Sequence, residues 1–163
     1  NKGEASSYSF YVQDEILLGN GFRLMPSLRA DFARVGDGGF YVENGTSITT
    51  YLLPYTGNLD GKQHFSLSPK IALGYNTKGG DRAYLSYSRG FRHGSLEDMC
   101  RSGMISGGVI LANTQLNPEY INTVEVGGDI TLLGGIIFTP SIYYSLGTDF
   151  IYAVNTGQKI NGR

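Results

Sequence analysis

Tryptophan is absent from the chain and cysteine occurs once. A single cysteine, Cys100, cannot close an internal disulfide, so neither a stapled secreted scaffold nor a cysteine-based zinc site is indicated. Charge is scarce as well: 17% of residues are Asp, Glu, Lys or Arg, against ~25% in ordinary globular chains. The 13 basic and 14 acidic residues nearly cancel, which removes the basic excess expected of a nucleic-acid binder. No run approaches the ~18–20 apolar residues of a membrane-spanning helix. The opening Asn1-Lys2-Gly3-Glu4 is not that of a signal peptide. Disorder is excluded too, because 40% of residues are hydrophobic and the net charge is only −1. What the 163 residues have in excess is glycine (24), with tyrosine (12) and phenylalanine (8). That composition fits a β-protein of one domain, or a piece of something larger.

Alternation with period two, the geometry of a strand with two unlike faces, is the dominant local pattern. Phe65, Leu67, Pro69, Ile71, Leu73 and Tyr75 form one apolar row, with Ser66, Ser68, Lys70, Ala72, Gly74 and Asn76 between them. Ile136 to Leu146, Val124 to Leu132, Leu24 to Phe32, Ala83 to Tyr87 and Phe10 to Ile16 repeat the theme. These predict six strands at roughly 8–18, 22–34, 65–76, 82–92, 119–133 and 136–154. Glycine-rich links, Gly19-Asn20-Gly21, Thr77-Lys78-Gly79-Gly80-Asp81 and Gly134-Gly135, join them in pairs as tight hairpins. The connections from Val35 to His64 and from His93 to Pro118 are long. Short and long links therefore alternate, which in an up-and-down meander gathers all tight turns at one end. That is the layout of an outer-membrane barrel, with periplasmic turns and external loops.

Period alone does not say which face is dry, and a soluble β-sandwich or lipocalin-like barrel also alternates. Three features favour the membrane. The strands are long enough to supply the ~9–11 residues that cross a bilayer obliquely. The polar rows carry Glu15, Arg29, Asp31, Lys70, Glu125 and Asp129, which suit a wet or protein-filled lumen. Tyr75 and Tyr144 are expected near strand ends, where aromatic girdles belong. In the loops, Asn44-Gly45 between two short apolar runs predicts a hairpin; the formal sequon Asn44-Gly45-Thr46 is better read as that turn. Ser95 with Asp98 predicts a capped short helix that Gly103 would close, with Met99, Cys100, Met104 and Ile105 in or beside it.

One group of strings resembles a known family. Ser86-Tyr87-Ser88-Arg89-Gly90-Phe91-Arg92, followed by His93-Gly94-Ser95-Leu96-Glu97-Asp98, is similar to the strand end and helical turn of TonB-dependent outer-membrane receptors. Asn113-Thr114-Gln115-Leu116-Asn117-Pro118-Glu119 and Val124-Glu125-Val126-Gly127-Gly128-Asp129 resemble the opening of the family's next strand. Phe10 to Glu15, Leu28 to Asp31 and Asp149-Phe150-Ile151 are weaker echoes in the same order. The resemblance implies an all-β fold: an antiparallel meander of about six long strands, part of a transmembrane β-barrel plugged by a separate N-terminal domain. Residues 1–163 would then be a partial barrel domain, with plug and closing strands missing, incapable of transport alone. It further implies a bacterial outer-membrane location and contact with outer-membrane lipid. A TonB complex would act through the missing plug, and the ligand would be an iron-siderophore, haem or cobalamin.

No Ser/His/Asp or paired-carboxylate arrangement points to an enzyme, and no cofactor or metal site is expected. Gly19-Asn20-Gly21 is not a phosphate loop, since no third glycine or helix follows. His64 and His93 both read as loop-flanking, solvated residues. Arg89, Phe91, Arg92 and His93 are the candidate ligand-binding group at the external rim, although the first three read better as anchors of the loop and rim, since motif residues shared among receptors with different ligands cannot encode the ligand. Gly90, Leu116, Pro118, Glu119, Glu125 and Gly127 are structural motif residues by the resemblance, and Arg29, Asp31, Lys70, Glu125 and Asp129 the lumen row facing a plug. Active uptake leads; a passive porin, another outer-membrane barrel, or a soluble β-barrel binding module remain as alternatives.

Overall fold

A computed structural model describes residues 2–42, 50–106 and 108–159; the Asn44-Gly45 turn and its sequon lie outside them. The elements are β1 (Lys2–Gln13), β2 (Ile16–Gly19), β3 (Phe22–Phe40), a 3-10 helix (Thr50–Tyr55) and β4 (Gly57–Leu59). They continue with β5 (Lys62–Asn76), β6 (Arg82–Arg92), α1 (Leu96–Cys100), β7 (Gly103–Ile105) and β8 (Gly108–Ile110). Last come β9 (Glu119–Thr131), β10 (Ile137–Phe138) and β11 (Ser141–Thr148). All six alternating segments are strands of one antiparallel meander: β1–β2, β3, β5, β6, β9, and β10–β11. Among the described residues no helix is long and apolar enough to cross a membrane.

The boundaries depart from expectation where backbone chemistry intervenes. The first strand breaks at Asp14-Glu15, where the Asp14 carboxylate takes the Glu15 N–H at 2.8 Å and competes with the ladder. The sixth breaks at Thr139-Pro140, because proline has no N–H; its carbonyl still accepts from Gly128 at 3.1 Å. It stops at Thr148, since Asp149 takes a left-handed φ of 59°. Conversely, β1 and β3 run longer than expected. A bulge at Gly36, with φ of 108°, shifts the register between Glu4 and Ala5 and lets pairing reach Lys2↔Gly39.

The tight turns are built from glycine conformations. Gly19, Asn20 and Gly21 all have positive φ, and a Cβ on Gly21 would stand 2.2 Å from the Asn76 carbonyl oxygen. Gly134 and Gly135 repeat the conformation at the third turn, with open space around both.

Register places the apolar rows side by side. Leu24, Leu73, Leu85 and Val126 line up across four strands, as do Pro26, Ile71, Tyr87, Val124 and Tyr144. None of the described residues covers them: Val126 is 51% exposed and Ile142 75%. A soluble sandwich or lipocalin-like barrel would fold this surface inward; here it faces out. Ring pairs mark its two ends on β3 and β5, Phe22–Tyr75 at 4.6 Å and Phe32–Phe65 at 4.7 Å. Ten residues of strand separate them, about 33 Å along the chain, or about 25 Å of height at the usual tilt. That height matches an outer-membrane apolar band. Tyr144 departs from the girdle expectation: it lies opposite Val124 at mid-height.

Among the described residues, the well-buried apolar cluster lies on the other face at the loop end: Ala33, Val35, Met99 and Cys100, with Leu59 and Leu116 packed against it. α1 supplies half of that cluster, so the connection between β6 and β9 folds back across the inner face of β3 and β1. The Ser95 capping box is present, its hydroxyl accepting from Asp98 N–H while Asp98 accepts from Ser95 N–H. Gly103 does not close the helix. Arg101 ends it in extended conformation, and Gly103 opens β7, carrying Met104 and Ile105 into a small hairpin with β8.

Candidate functional site

On the inner face near the loop end is an open concavity of about 440 Å³. Its floor comes from alternate residues of β1, β3 and β5: Ser7 and Ser9, Arg29, Asp31 and Ala33, and Ser68. One wall comes from Gly90, Phe91, Arg92 and His93 at the end of β6. Pairing between β5 and β6 ends at Lys70↔Ser88, while β6 stays paired to β9 as far as Arg92↔Glu119. Beyond that point the two strands no longer share a ladder, and the concavity lies between their ends.

Asp31 is 5% exposed and fully engaged. Arg29 donates Nε to both its oxygens, at 3.0 and 2.9 Å, and Nη2 to Oδ1 at 2.8 Å. Ser9 Oγ donates to the same Oδ1 at 2.5 Å. A carboxylate buried this deeply needs such compensation. Arg92 is also engaged, by Glu119 through Nε and by Asp98 Oδ2 through Nη1 at 3.2 Å. The other Glu119 oxygen accepts the Ile151 N–H at 2.6 Å. Asp98, in α1, is held below the usual carboxylate range by the Ser95 N–H and hydroxyl and by Arg92, against its partial burial. Beside these pairs the concavity presents the Phe91 ring, the His93 imidazole 6.3 Å from it, the Ser7 and Ser68 hydroxyls, and the Arg29 Nη1 and Arg92 Nη2 edges that the two pairs leave unused. The chemistry this set offers is aromatic stacking and hydrogen bonding.

Of the rim candidates, Phe91, Arg92 and His93 meet in the concavity together with Arg29 and Asp31. Arg89 does not join them: its guanidinium stacks 4.2 Å over the Tyr120 ring, and the Tyr120 hydroxyl sits 3.3 Å from Ser66 Oγ. The other lumen-row residues share the inner face farther toward the turns. Arg82 pairs with Asp129 at 2.7 Å, Tyr84 donates to Glu125 at 2.6 Å, and Lys70 is exposed without a partner among the described residues. Gly127 lies beneath Tyr84, whose hydroxyl oxygen would stand 2.6 Å from a Cβ there. Gly90 lines the concavity, Leu116 packs on the α1 cluster, and Pro118 is buried.

His64 is a correction. It is not a solvated loop residue but part of β5, 9% exposed, with Nε2 lacking a hydrogen-bond partner among the described residues. Sequence reasoning also missed Ser9 and Asp98 as partners. Ser9 stands directly opposite Asp31, a relation visible only once register is known. Among the described residues no three His, Cys, Asp or Glu side chains group as a metal site.

An uncovered apolar surface about 25 Å tall, backed by a charged and hydroxylated face, defines a segment of transmembrane β-barrel wall. The chain belongs to the TonB-dependent receptor-like β-barrel family, whose model matches residues 1–163. These are bacterial outer-membrane receptors rather than enzymes. A similar solved structure is a double mutant of the Serratia marcescens hemophore receptor HasR, in complex with its hemophore HasA and heme. The TM-score is 0.63 at 18% identity, covering 88% of this chain and 25% of that one. The chain thus spans about a quarter of that receptor's length. No curated protein matches.

Proposed function

We propose that this chain is wall and external loop of a TonB-dependent transporter that takes up a scarce, bulky nutrient across the bacterial outer membrane. Iron-siderophore, haem and cobalamin are the candidate ligands, with haem tested first because the similar receptor structure is a complex with heme. The observation that carries the reading is the polarity of the sheet: the apolar rows between the two ring pairs lie uncovered on one face, and the ion pairs Arg29–Asp31 and Arg82–Asp129 lie on the other. The concavity at the loop end would receive part of the ligand, and the lumen row Arg29, Asp31, Lys70, Glu125 and Asp129 would face a plug that must move.

Two measurements on the complete receptor test this. Leu28 stands on the outer face midway between the Phe22 and Phe32 girdle positions, beside inward-facing Ser27. Leu28→Arg should cost about 2–4 kcal/mol of barrel stability in phospholipid vesicles, whereas Ser27→Arg should cost close to nothing. Equal costs would put both faces in water and sink the membrane assignment. Second, a strain relying on this receptor should grow on one limiting source among haem, cobalamin and ferric siderophores, and only with TonB intact. Growth independent of TonB would point to a passive pore.

A further inference from the structure

The residues at the concavity's rim form one connected polar chain that runs between two loops. Ser95 fixes Asp98 through N–H and Oγ, both at 2.9 Å. Asp98 accepts from Arg92, and Arg92 donates to Glu119. Glu119 accepts the backbone N–H of Ile151, just beyond β11. The Arg92 guanidinium therefore lies between a carboxylate of α1 and a carboxylate at the first residue of β9. Both carboxylates are themselves held by backbone N–H groups, so the Nε and Nη1 donors of Arg92 meet partners already fixed in place. On the far side, α1 is seated on β1 and β3 by little apolar area. Met99 and Cys100 are its buried residues, Cys100 Sγ lies 3.6 Å from the Gly36 carbonyl oxygen, and a Cβ on Gly3 would stand 2.9 Å from that sulfur.

We infer that Arg92 is a positioning residue: it holds the 93–118 loop down across the inner face, above the concavity, and through Glu119 sets the start of the following loop at Ile151. This deepens the receptor reading above, on which it rests for the direction of the external side. One side chain thus fixes two loops.

Cys100 is a built-in reporter, because its thiol is reachable only when α1 lifts from Gly3 and Gly36. In the complete receptor on intact cells, with any other cysteines replaced by serine, labelling by a membrane-impermeant maleimide reads the lifted fraction. Arg92→Gln should label about tenfold faster than the parent, as two charge-assisted contacts are lost and Glu119 is left short of a partner. Arg92→Lys, which keeps the charge but not the fork, should fall between them. Glu119→Gln, neutral and of the same shape, gives an independent reading should Arg92→Gln fail to assemble, and it too should accelerate labelling. Parent-like labelling in an assembled Arg92→Gln or Glu119→Gln barrel would overturn the inference. Labelling reports on the loop whatever the receptor carries, so a failure of the uptake assignment leaves this result standing, and the reverse.

Discussion

The two ends of the sheet are closed by different means. At the turn end, Gly19, Asn20, Gly21, Gly80, Gly134 and Gly135 hold positive φ and reverse the chain within a few residues. Few side chains are needed there. At the loop end, closure depends on groups far apart in sequence: Met99 and Cys100 against Ala33 and Val35, Arg92 between Asp98 and Glu119, and Lys62 reaching the Gln115 carbonyl and Asn117 Oδ1 at 2.9 and 2.8 Å. One end is therefore set by local backbone geometry and the other by tertiary contacts. Damage should behave accordingly: global and steep at the turns, local and graded at the loops.

The largest effect is expected at Gly21, where alanine meets both an unfavourable φ and the Asn76 carbonyl. Gly21→Ala should lower barrel stability by about 3 kcal/mol in urea unfolding of the complete receptor. Gly134→Ala, with the same sign of φ and nothing nearby, should cost only about 1 kcal/mol. Equal losses would mean that the Asn76 contact is irrelevant. Next comes Met99→Ala, which empties the α1 seat. It should cost about 2 kcal/mol confined to the loop, seen as faster hydrogen exchange over 95–102 with the urea midpoint unchanged. A shift in that midpoint would show the two ends to be coupled. Lys62→Met removes two exposed hydrogen bonds and should loosen residues 113–117 by about 1 kcal/mol in the same exchange measurement.

The smallest effect is a pH dependence. Asp98 has its folded pKa below the unfolded value of about 3.9. Its contribution is therefore complete above that value and is lost as pH falls through the lower, folded one. Exchange protection of α1 should stay flat from neutral pH to about pH 4 and decline only in stronger acid. A decline centred near pH 6 would implicate a histidine instead.

Legibility follows the same division. The six strands, their order and the three tight turns could be read in advance because a period of two and positive-φ residues are local signals. β6 was delimited correctly at 82–92, where alternation runs unbroken into Phe91-Arg92. Errors arose where a single residue redirected the backbone, at Asp14, Pro140 and Asp149. The pairing of Ser9 with Asp31 and the burial of His64 were invisible because they depend on which residue faces which across the ladder. The capping box of α1 was legible, but not the end of that helix. The Arg92–Glu119 contact joins two strings noted separately in the sequence, and nothing in their spacing announces that they touch.

The ring pairs on β3 and β5 carry a constraint on how such a wall can change length. Removing one residue from a crossing segment would turn every later side chain through half a pleat and set serines and carboxylates against oil. Only even steps are tolerated, and each shortens the belt by roughly 5 Å at the usual tilt. Adjustment to a thinner or thicker bilayer is thus quantised.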